Sequence, residues 1–502
     1  MLPGSQFQEK KAGLGYWAQR VLEECDKASD GFAADPVHDL RVAIRRCRSM
    51  ADGFLSVDPD PAWRQMKRLG KPLFSSLGDL RDTQVMMEWV TKLADPGDAV
   101  AASLMAALTE KEANLKLAAQ ESLATFDRNE WTALNDHLAK RTSTVPTEGL
   151  VFQHVALERW VDARELHRHA LKNRSGVAYH QLRVGIKRFR YTVENFLPAR
   201  HSKWSKDLRE LQDALGDVHD FDVLRGIMRA HPEIQPEDRA RWQKRISEER
   251  QKRLDLYRQK MLGNGSLWNV WRVDLPAGKQ LEQAGLEKLR TWASFLDPDT
   301  AHSSLVARIA LQLFDGISQC GILQLSARQR EILEGAAVLH EIGRDKSGSG
   351  HGGGHQKRGY RRTIKLKPPL GWSEEDMLCV AALVRYHRGA LPKSTDSSFV
   401  GLDASRRAQL MPLLGILRLA NAFDENHENR VTGIKVEEYK GSLVVLAEGL
   451  QALSVTAERI ARARYLLESL CQCAIMVRPQ TKKASPAVRR VRTNPKAAAV
   501  GD

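Results

Sequence analysis

Residues 38–48 read HDLRVAIRRCR, and residues 180–190 read HQLRVGIKRFR. If each stretch is an α-helix, with about 100° between successive residues, four basic side chains of each copy share one stripe. These stripes comprise His38, Arg41, Arg45 and Arg48 in the first copy, and His180, Arg183, Lys187 and Arg190, with Tyr191 beside them, in the second. Like charges three or four residues apart repel one another on a helix, so building the stripe twice indicates a strongly anionic partner.

The repetition extends beyond the basic stretch. LGDLRD at residues 77–82 returns as LGDVHD at residues 215–220, at nearly the same separation along the chain. Similar offsets for two separate motifs indicate one ancestral unit copied in tandem. We therefore predict two helical repeats, over residues 5–145 and 150–262, that together form a duplicated helical bundle.

Composition places the chain among globular proteins with an anionic partner. Its 502 residues suffice for two to four domains, and 77 Lys and Arg against 62 Asp and Glu give a net charge of +15. The six cysteines are scattered and favour reduced thiols and a cytoplasmic location. The N-terminus lacks a secretory signal, and no apolar run approaches the roughly 18 residues of a membrane span, so no membrane partner is expected.

The remaining chain is predicted to be mainly α as well. GNGS at 263–266 favours a linker over residues 263–279, before a second, helical domain at 280–477. Alternating residues 434–446, with Lys440-Gly441 at their centre, predict a small β-hairpin in that domain. Residues 478–502 are basic and proline-containing, which is typical of a disordered tail.

The two stripes have a functional and a structural interpretation. Arg and Lys side chains match phosphate oxygens, and two copies related by a pseudo-two-fold axis would focus positive potential in a shared groove or channel. Alternatively, each stripe is a solvated basic face paired with acidic neighbours, and each histidine caps or packs against a helix. Four more cations could extend the groove: Lys67, Lys71, Lys206 and Arg209. Asp82 and Asp220 are expected at helix junctions or in salt bridges.

The paired His-x-x-Arg and Leu-Gly-Asp motifs resemble those of the conserved histidine α-helical domain (CHAD) family, over residues 5–262. The resemblance implies two helical bundles around a basic channel that binds inorganic polyphosphate. It adds Arg46 and Arg188 to the candidate polyphosphate-binding residues, although both point away from their stripes. The residues alone predict a linear polyanion.

Four histidines occur in separate segments of the C-terminal region: His302, His340, His355 and His387. Histidines beside carboxylates can hold a divalent metal that activates water. LHEIG at 339–343 and VRYHR at 384–388 resemble the HD superfamily, and more closely the C-terminal helical domain of exopolyphosphatases and guanosine pentaphosphate phosphohydrolases. The candidate metal ligands are His302, His340, Glu341 and His387.

The chain departs from the catalytic HD pattern at two positions. Glu341 occupies the position of the Asp in the His-Asp pair. Asn421 occupies the position of a later metal-binding Asp, and Asp424 follows it by one helical turn. Such changes should weaken a metal pair, so we expect a helical scaffold whose histidines are hydrogen-bonded or contact phosphate. We expect no catalytic residues and no cofactor, unless the HD-like site is functional and holds a divalent metal.

Three functions remain open at the level of sequence. The leading hypothesis is non-catalytic binding of polyphosphate, in the cytoplasm and at polyphosphate granules, with the HD-like domain as an accessory. The first alternative is a metal-dependent phosphohydrolase acting on polyphosphate or phosphorylated nucleotides. The second is a nucleic-acid-binding module. The scarcity of aromatic residues for base stacking in the stripes, apart from Phe189 and Tyr191, argues against it. Nucleic acid remains a competitor to be tested, and the oligomeric state is open.

Overall fold

The computed structural model describes residues 13–231, 234–344 and 354–480. The chain divides into two compact units, the first assigned Met1–Leu296 with Lys367–Ser373, and the second Asp297–Leu366 with Glu374–Asp502. Helices dominate both units, which confirms the mainly α fold class. None of the helices in the described part of the chain is both long enough and apolar enough to cross a membrane.

The first unit contains twelve helices within its described residues. They are α1 (Leu14–Ala28), α2 (Ala34–Phe54), α3 (Ala62–Leu69), α4 (Lys71–Leu93), α5 (Ala99–Ala124), α6 (Arg128–Thr142), α7 (Leu150–Asn173), α8 (Gly176–Phe196), α9 (Pro198–Ala230), α10 (Pro236–Met261), α11 (Leu267–Val273) and α12 (Lys279–Ser294).

The two sequence repeats form equivalent helix pairs. Helices α1 and α2 pack together in the first repeat as α7 and α8 do in the second, and α4 packs on α5 as α9 packs on α10. The equivalent helices also meet one another, because α2 contacts α8 and α4 contacts α9. This pairing of like with like is the arrangement that a pseudo-two-fold axis produces.

The spacing of apolar residues explains why α2 and α8 pack as they do. Buried apolar side chains recur every three or four positions on each helix, which gives one buried stripe and leaves the basic stripe on another face. The N-terminus of α8 is capped by Ser175, whose hydroxyl accepts from the Ala178 amide at 3.1 Å. Near the C-terminal ends of α2 and α8, the backbone of Gly53 lies so close to the Phe196 ring that a Cβ at Gly53 would overlap it.

The segment predicted to be a linker belongs to the packed core of the first unit. Within 263–279, helix α11 buries Trp268 and Trp271. Helix α12 packs on α7, where Lys288 and Glu158 form an ion pair at 2.7 Å, so the first unit extends past the predicted boundary at 280. Glycine-rich composition favoured a linker, but burial of two large indole rings outweighs that local preference.

The second unit contains eight helices and three strands within its described residues. They are α13 (Thr300–Gln319), α14 (Ala327–Leu339), α15 (His355–Thr363), α16 (Glu374–Tyr386), α17 (Ser397–Val400), α18 (Ala404–Ala422), β1 (Gly433–Tyr439), β2 (Ser442–Glu448), α19 (Val455–Ala463), α20 (Tyr465–Cys471) and β3 (Ile475–Pro479).

The predicted hairpin is present, with β1 antiparallel to β2. Lys440 and Gly441 both have positive φ, 48° and 73°, as a two-residue hairpin turn requires. A third strand, β3, was not predicted; it pairs parallel to β2 and includes Arg478, the first residue of the predicted disordered tail. Residues 481–502 of that tail lie outside the described residues.

Candidate functional site

The basic stripes of α2 and α8 approach each other in the first unit. Burial lowers the pKa of Lys187 to about 7. The positive charges of Arg183, on the same helix, and of Arg45 and Arg41, on α2, lower it further. Charges from one repeat therefore act on a side chain of the other, which means that the two stripes converge.

An aromatic ring lies where the stripes meet. The guanidinium carbon of Arg45 lies 5.5 Å from the centre of the Tyr191 ring, and that of Arg190 lies 5.9 Å from the same centre. Cations over an aromatic face are stabilised by the ring quadrupole. Burial lowers the pKa of the Arg45 guanidinium, but an Arg remains charged under all ordinary conditions. Tyr191 thus helps to hold two like charges from different repeats close together.

Two arginines of the first stripe are anchored to backbone. Arg41 donates to the carbonyl of Phe74 at 3.1 Å, and Arg48 donates to the carbonyl of Lys67 at 2.5 Å. A Cβ at Gly78 would lie 2.7 Å from the Arg41 guanidinium, so the glycine of the first Leu-Gly-Asp motif makes room for this side chain. These contacts fix the direction of each guanidinium before any ligand arrives.

The histidines at the start of the stripes lie beside basic residues that the sequence analysis did not include. Burial and the charges of Arg45 and Arg81 lower the pKa of His38. In the second repeat, Nδ1 of His180 lies 3.2 Å from Nδ1 of His219. Arg81 and His219 occupy the same position of the two Leu-Gly-Asp motifs. A basic residue at this position in both repeats is the sequence signal that could have identified them as neighbours of the stripes.

Acidic residues of the Leu-Gly-Asp motifs approach the stripes from α4 and α9. Burial raises the pKa of Asp220 to about 6, and the charge of Asp82 from the other repeat raises it further. The nearby positive charges of Arg183 and Lys187 oppose this shift. The two aspartates are therefore electrostatic neighbours of the stripes. Both lie inside their helices, and none of the ion pairs among the described residues includes them, so the predicted helix-junction or salt-bridge role is not observed.

Some of the predicted binding residues are paired with carboxylates or exposed to solvent. Arg46 is paired with Glu194 at 2.5 Å and lies over the Trp17 ring, while Lys67 is paired with Asp52. These two side chains therefore match the structural alternative. Four others are exposed on the surface of the first unit: Lys71, Arg188, Lys206 and Arg209.

Two buried donors of α8 have no hydrogen-bond partner among the described residues, namely Arg183 Nε and Tyr191 Oη. In addition, none of the ion pairs within the described ranges involves the four central cations, which are Arg41, Arg45, Arg183 and Lys187. Buried polar groups are normally paired, so these side chains can donate to an anionic ligand without breaking an existing salt bridge.

The second unit brings its histidines together. Its described residues contain two groups that could each hold a metal ion, one of His302, His340 and Glu341, and one of Glu341, His355 and His387. His302 lies in the first turn of α13, and His340 and Glu341 follow the end of α14. His355 begins α15, and His387 follows α16. The four predicted ligands are thus neighbours, and His355 is a fifth potential ligand that the predicted set omitted.

Carboxylates and carbonyls orient these imidazoles. His302 Nδ1 lies 2.8 Å from Asp424 Oδ2, and the ring of His302 lies against that of His427, with centres 3.8 Å apart and planes tilted by 32°. Asp424, one turn beyond Asn421, therefore contacts His302 at Nδ1 and orients the Nε2 side of the ring toward His340. Burial lowers the pKa of His340 to about 3, and the imidazoles of His355 and His387 hold the pKa of Glu341 far below its usual range despite its burial. The cluster thus combines neutral imidazole with an ionised carboxylate.

Comparisons with known proteins divide the chain in the same way as its motifs. Residues 17–229 match the model of the CHAD domain, and residues 288–446 match the model of the Ppx/GppA phosphatase, domain III. The crystal structure of the CHAD domain from the plant Ricinus communis is similar over 52% of this chain and 88% of that chain, with 20% sequence identity and a TM-score of 0.35. None of the curated proteins gives a significant match.

The two family matches agree with the motifs that first pointed to them. The CHAD match covers both basic stretches and both Leu-Gly-Asp motifs, and the second match covers the five residues of the histidine cluster. The chain therefore carries a CHAD domain, followed by a region similar to domain III of Ppx/GppA phosphatases.

Proposed function

We propose that the first unit binds inorganic polyphosphate along the converging stripes of α2 and α8. The observation that carries the proposal is the mutual proximity of Arg41, Arg45 and Lys187, which come from both repeats yet influence one another electrostatically. Nearby carboxylates compensate these buried cations only in part, so holding them together costs stability, and an anionic ligand would relieve that cost. We expect the protein in the cytoplasm and at polyphosphate granules.

The extent of the stripes favours a linear polyanion over a single phosphate group. From His38 to Arg48 the first stripe spans about 15 Å along its helix, at roughly 1.5 Å per residue. A single phosphate group contacts only the few cations nearest to it. A chain of phosphates can contact both stripes along their length, and each contact would displace a condensed counterion, by analogy with nucleic acids.

Binding of labelled long-chain polyphosphate to the full-length protein tests this function. Titrations at fixed ionic strength should give saturable binding, while orthophosphate at the same phosphorus concentration should compete poorly. Single-stranded RNA at matched salt is the decisive competitor. Displacement of RNA by polyphosphate, with weak displacement in reverse, is expected; equal affinity for both would instead favour a general nucleic-acid-binding surface.

The histidine cluster favours a second candidate function, a metal-dependent phosphohydrolase in the second unit. A bound divalent metal would lower the pKa of a water ligand and polarise a phosphoryl oxygen. The residues of this chain would position such an ion through the clustered imidazoles and Glu341. Release of orthophosphate from polyphosphate or from phosphorylated nucleotides, measured with added Mn²⁺ and again after chelation, separates this function from binding alone.

A further inference from the structure

We propose that Lys187 is a nucleophilic modification site that accepts the acyl group of an acyl phosphate. The guanidinium groups of Arg41, Arg45 and Arg183, which lie near it, would hold the anionic donor while the amine reacts. The reaction requires no phosphate chain. The proposal therefore goes beyond polyphosphate binding, and either can hold while the other fails.

Lys187 lies in the middle of the basic stripe of α8. Arg183 precedes it by one helical turn, and Arg190 and Tyr191 follow it by one turn. Side chains three or four residues apart on a helix are neighbours on one face. Helix α2 contacts α8 here, and the guanidinium carbon of Arg45 lies 5.5 Å from the centre of the Tyr191 ring. The amine of Lys187 therefore lies among guanidinium groups of both repeats.

No carboxylate within the described part of the chain forms an ion pair or a hydrogen bond with Lys187. Its charge acts on Asp220 and Asp213 of α9 without such a contact. Lys288 is the contrasting case, because it is 8% exposed and its Nζ donates to Glu158 at 2.7 Å. The side chain of Lys187 is partly exposed, so a small molecule can reach it.

These surroundings favour the neutral, nucleophilic form of the amine. Burial lowers the pKa of Lys187 to about 7, and the charges of Arg183 and Arg45 lower it further. Desolvation and neighbouring cations are the means by which proteins activate a lysine as a nucleophile. At pH 7 an ordinary lysine, with a pKa of about 10.4, has less than about 0.1% of its amine in the neutral form, whereas about half of Lys187 would be neutral.

The cations around the amine favour an acyl donor that carries a phosphoryl group. Arg183 Nε is a buried donor without a hydrogen-bond partner among the described residues, so it can donate to a phosphoryl oxygen. The guanidinium groups would hold this phosphoryl group beside the amine and stabilise its negative charge as it leaves. A neutral acyl donor would gain nothing from these contacts.

The transfer requires no oxidant and no further reactant. The lone pair of Lys187 Nζ attacks the carbonyl carbon of the acyl phosphate and forms a C–N bond. The C–O bond to phosphate breaks, orthophosphate leaves with the bonding electrons, and the amine proton passes to the solvent. The product is a neutral amide. Acylation would thus remove one positive charge from the stripe of α8 and weaken its attraction for any anion.

Reaction of the full-length protein with acetyl phosphate tests the proposal. Peptide mass spectrometry would give the rate of acetylation at each lysine. At pH 7, Lys187 should react about 10-fold faster, or more, than Lys172, an exposed lysine of α7. Lys288 should react more slowly than Lys172, because Glu158 binds its amine. Between about pH 7 and 9 the rate at Lys187 should level off, while that at Lys172 should keep rising.

Two comparisons test the part played by the guanidinium groups. Acetic anhydride, a neutral donor, should prefer Lys187 less strongly than acetyl phosphate does. Arg183→Gln should reduce the preference of acetyl phosphate for Lys187, whereas Arg229→Gln, at an exposed position of α9, should leave it unchanged.

The proposal would be overturned by equal rates at Lys187 and Lys172, or by rates that rise equally with pH at both. An equal preference of both donors for Lys187, or its full retention in folded Arg183→Gln, would overturn the role of the guanidinium groups. Far-ultraviolet circular dichroism would show whether each variant folds. If Arg183→Gln does not fold, the pH profiles and the two donors decide the matter on the wild-type protein.

Discussion

At the scale of single residues, Lys187 shows what the convergence of the two stripes costs. Its pKa is lowered to about 7 by burial and by the charges of Arg183, Arg45 and Arg41, with Asp220 opposing them. The unfolded chain would titrate this lysine near its ordinary value of about 10.4. Between these two pH values the unfolded state binds the proton and the folded state does not, so stability should rise with pH over that range.

Lys187→Met should therefore stabilise the free protein and weaken its binding of polyphosphate. We expect a gain of about 1–2 kcal/mol at pH 7, because a largely buried charge that Asp220 compensates only in part is replaced by an apolar chain of similar length. Urea unfolding monitored by circular dichroism measures this gain. Lys172→Met, at an exposed position of α7, is the control and should change stability little. A loss of stability in Lys187→Met would contradict our account of the site.

The same residue predicts how binding depends on pH. A bound polyanion favours the protonated form of Lys187, so binding should take up protons and weaken as the pH rises from 7 to 9. Asp220, with a pKa near 6, is already ionised over this range. Titrations at constant ionic strength should show the decline in the wild-type protein and a flatter profile in Lys187→Met. Equal slopes for the two would show that Lys187 is not at the binding surface.

The sequence identified the residues of the stripes because helical periodicity is local. It did not identify Arg81, His219 or His355 as members of the two sites, because each reaches its neighbours only through packing of separate helices. The hydrogen bond from His302 to Asp424 likewise joins residues far apart in the chain. Such partnerships depend on tertiary structure, which motif spacing does not encode.

At the scale of elements, the close contact between α2 and α8 brings the two stripes together. Gly53 of α2 lies directly against Phe196 of α8, because an added Cβ would overlap the Phe196 ring. Phe196 also stacks on Phe152, with ring centres 4.0 Å apart, so it has little freedom to move.

Gly53→Ala should force the two helices apart and destabilise the first unit by about 1–3 kcal/mol, which is typical of overpacking. It should also weaken polyphosphate binding, although Gly53 carries no charge. Gly226→Ala is the matched control, because nothing lies within 4 Å of the added Cβ on α9. That substitution should leave binding unchanged and stability equal or slightly higher. Unfolding and binding curves that were alike for both variants would contradict the proposed role of the contact.

Elements with strong local signals were predictable, and those held by distant contacts were not. The hairpin turn at Lys440-Gly441 follows from local backbone preferences, and the structure contains it. Helix α11 was missed because burial of Trp268 and Trp271 against the rest of the first unit is not visible in local composition. Strand β3 was missed for a similar reason, since its parallel pairing with β2 joins segments separated by two helices.

At the scale of the whole molecule, the net charge of +15 should make polyphosphate binding sensitive to salt. We expect the logarithm of the affinity to fall linearly with the logarithm of the salt concentration, since each contact with a phosphate releases a counterion. The Arg45→Glu/Lys187→Glu variant, which lacks two contacts with phosphate, should show a weaker dependence of affinity on salt. Titrations between about 50 and 200 mM KCl measure the salt dependence of binding for the wild type and for the variant.

The most direct test of the central claim compares two charge-reversed forms of the full-length protein. Arg45→Glu/Lys187→Glu changes one side chain of each stripe, while Lys172→Glu/Arg229→Glu makes the same change in net charge at exposed positions outside them. Loss of two charge-assisted contacts, at about 1.5–3 kcal/mol each, should weaken polyphosphate binding about 100-fold or more in the first form. The second should bind nearly as the wild type does. Equal weakening of both folded variants would show that overall charge, and not the paired stripes, determines binding.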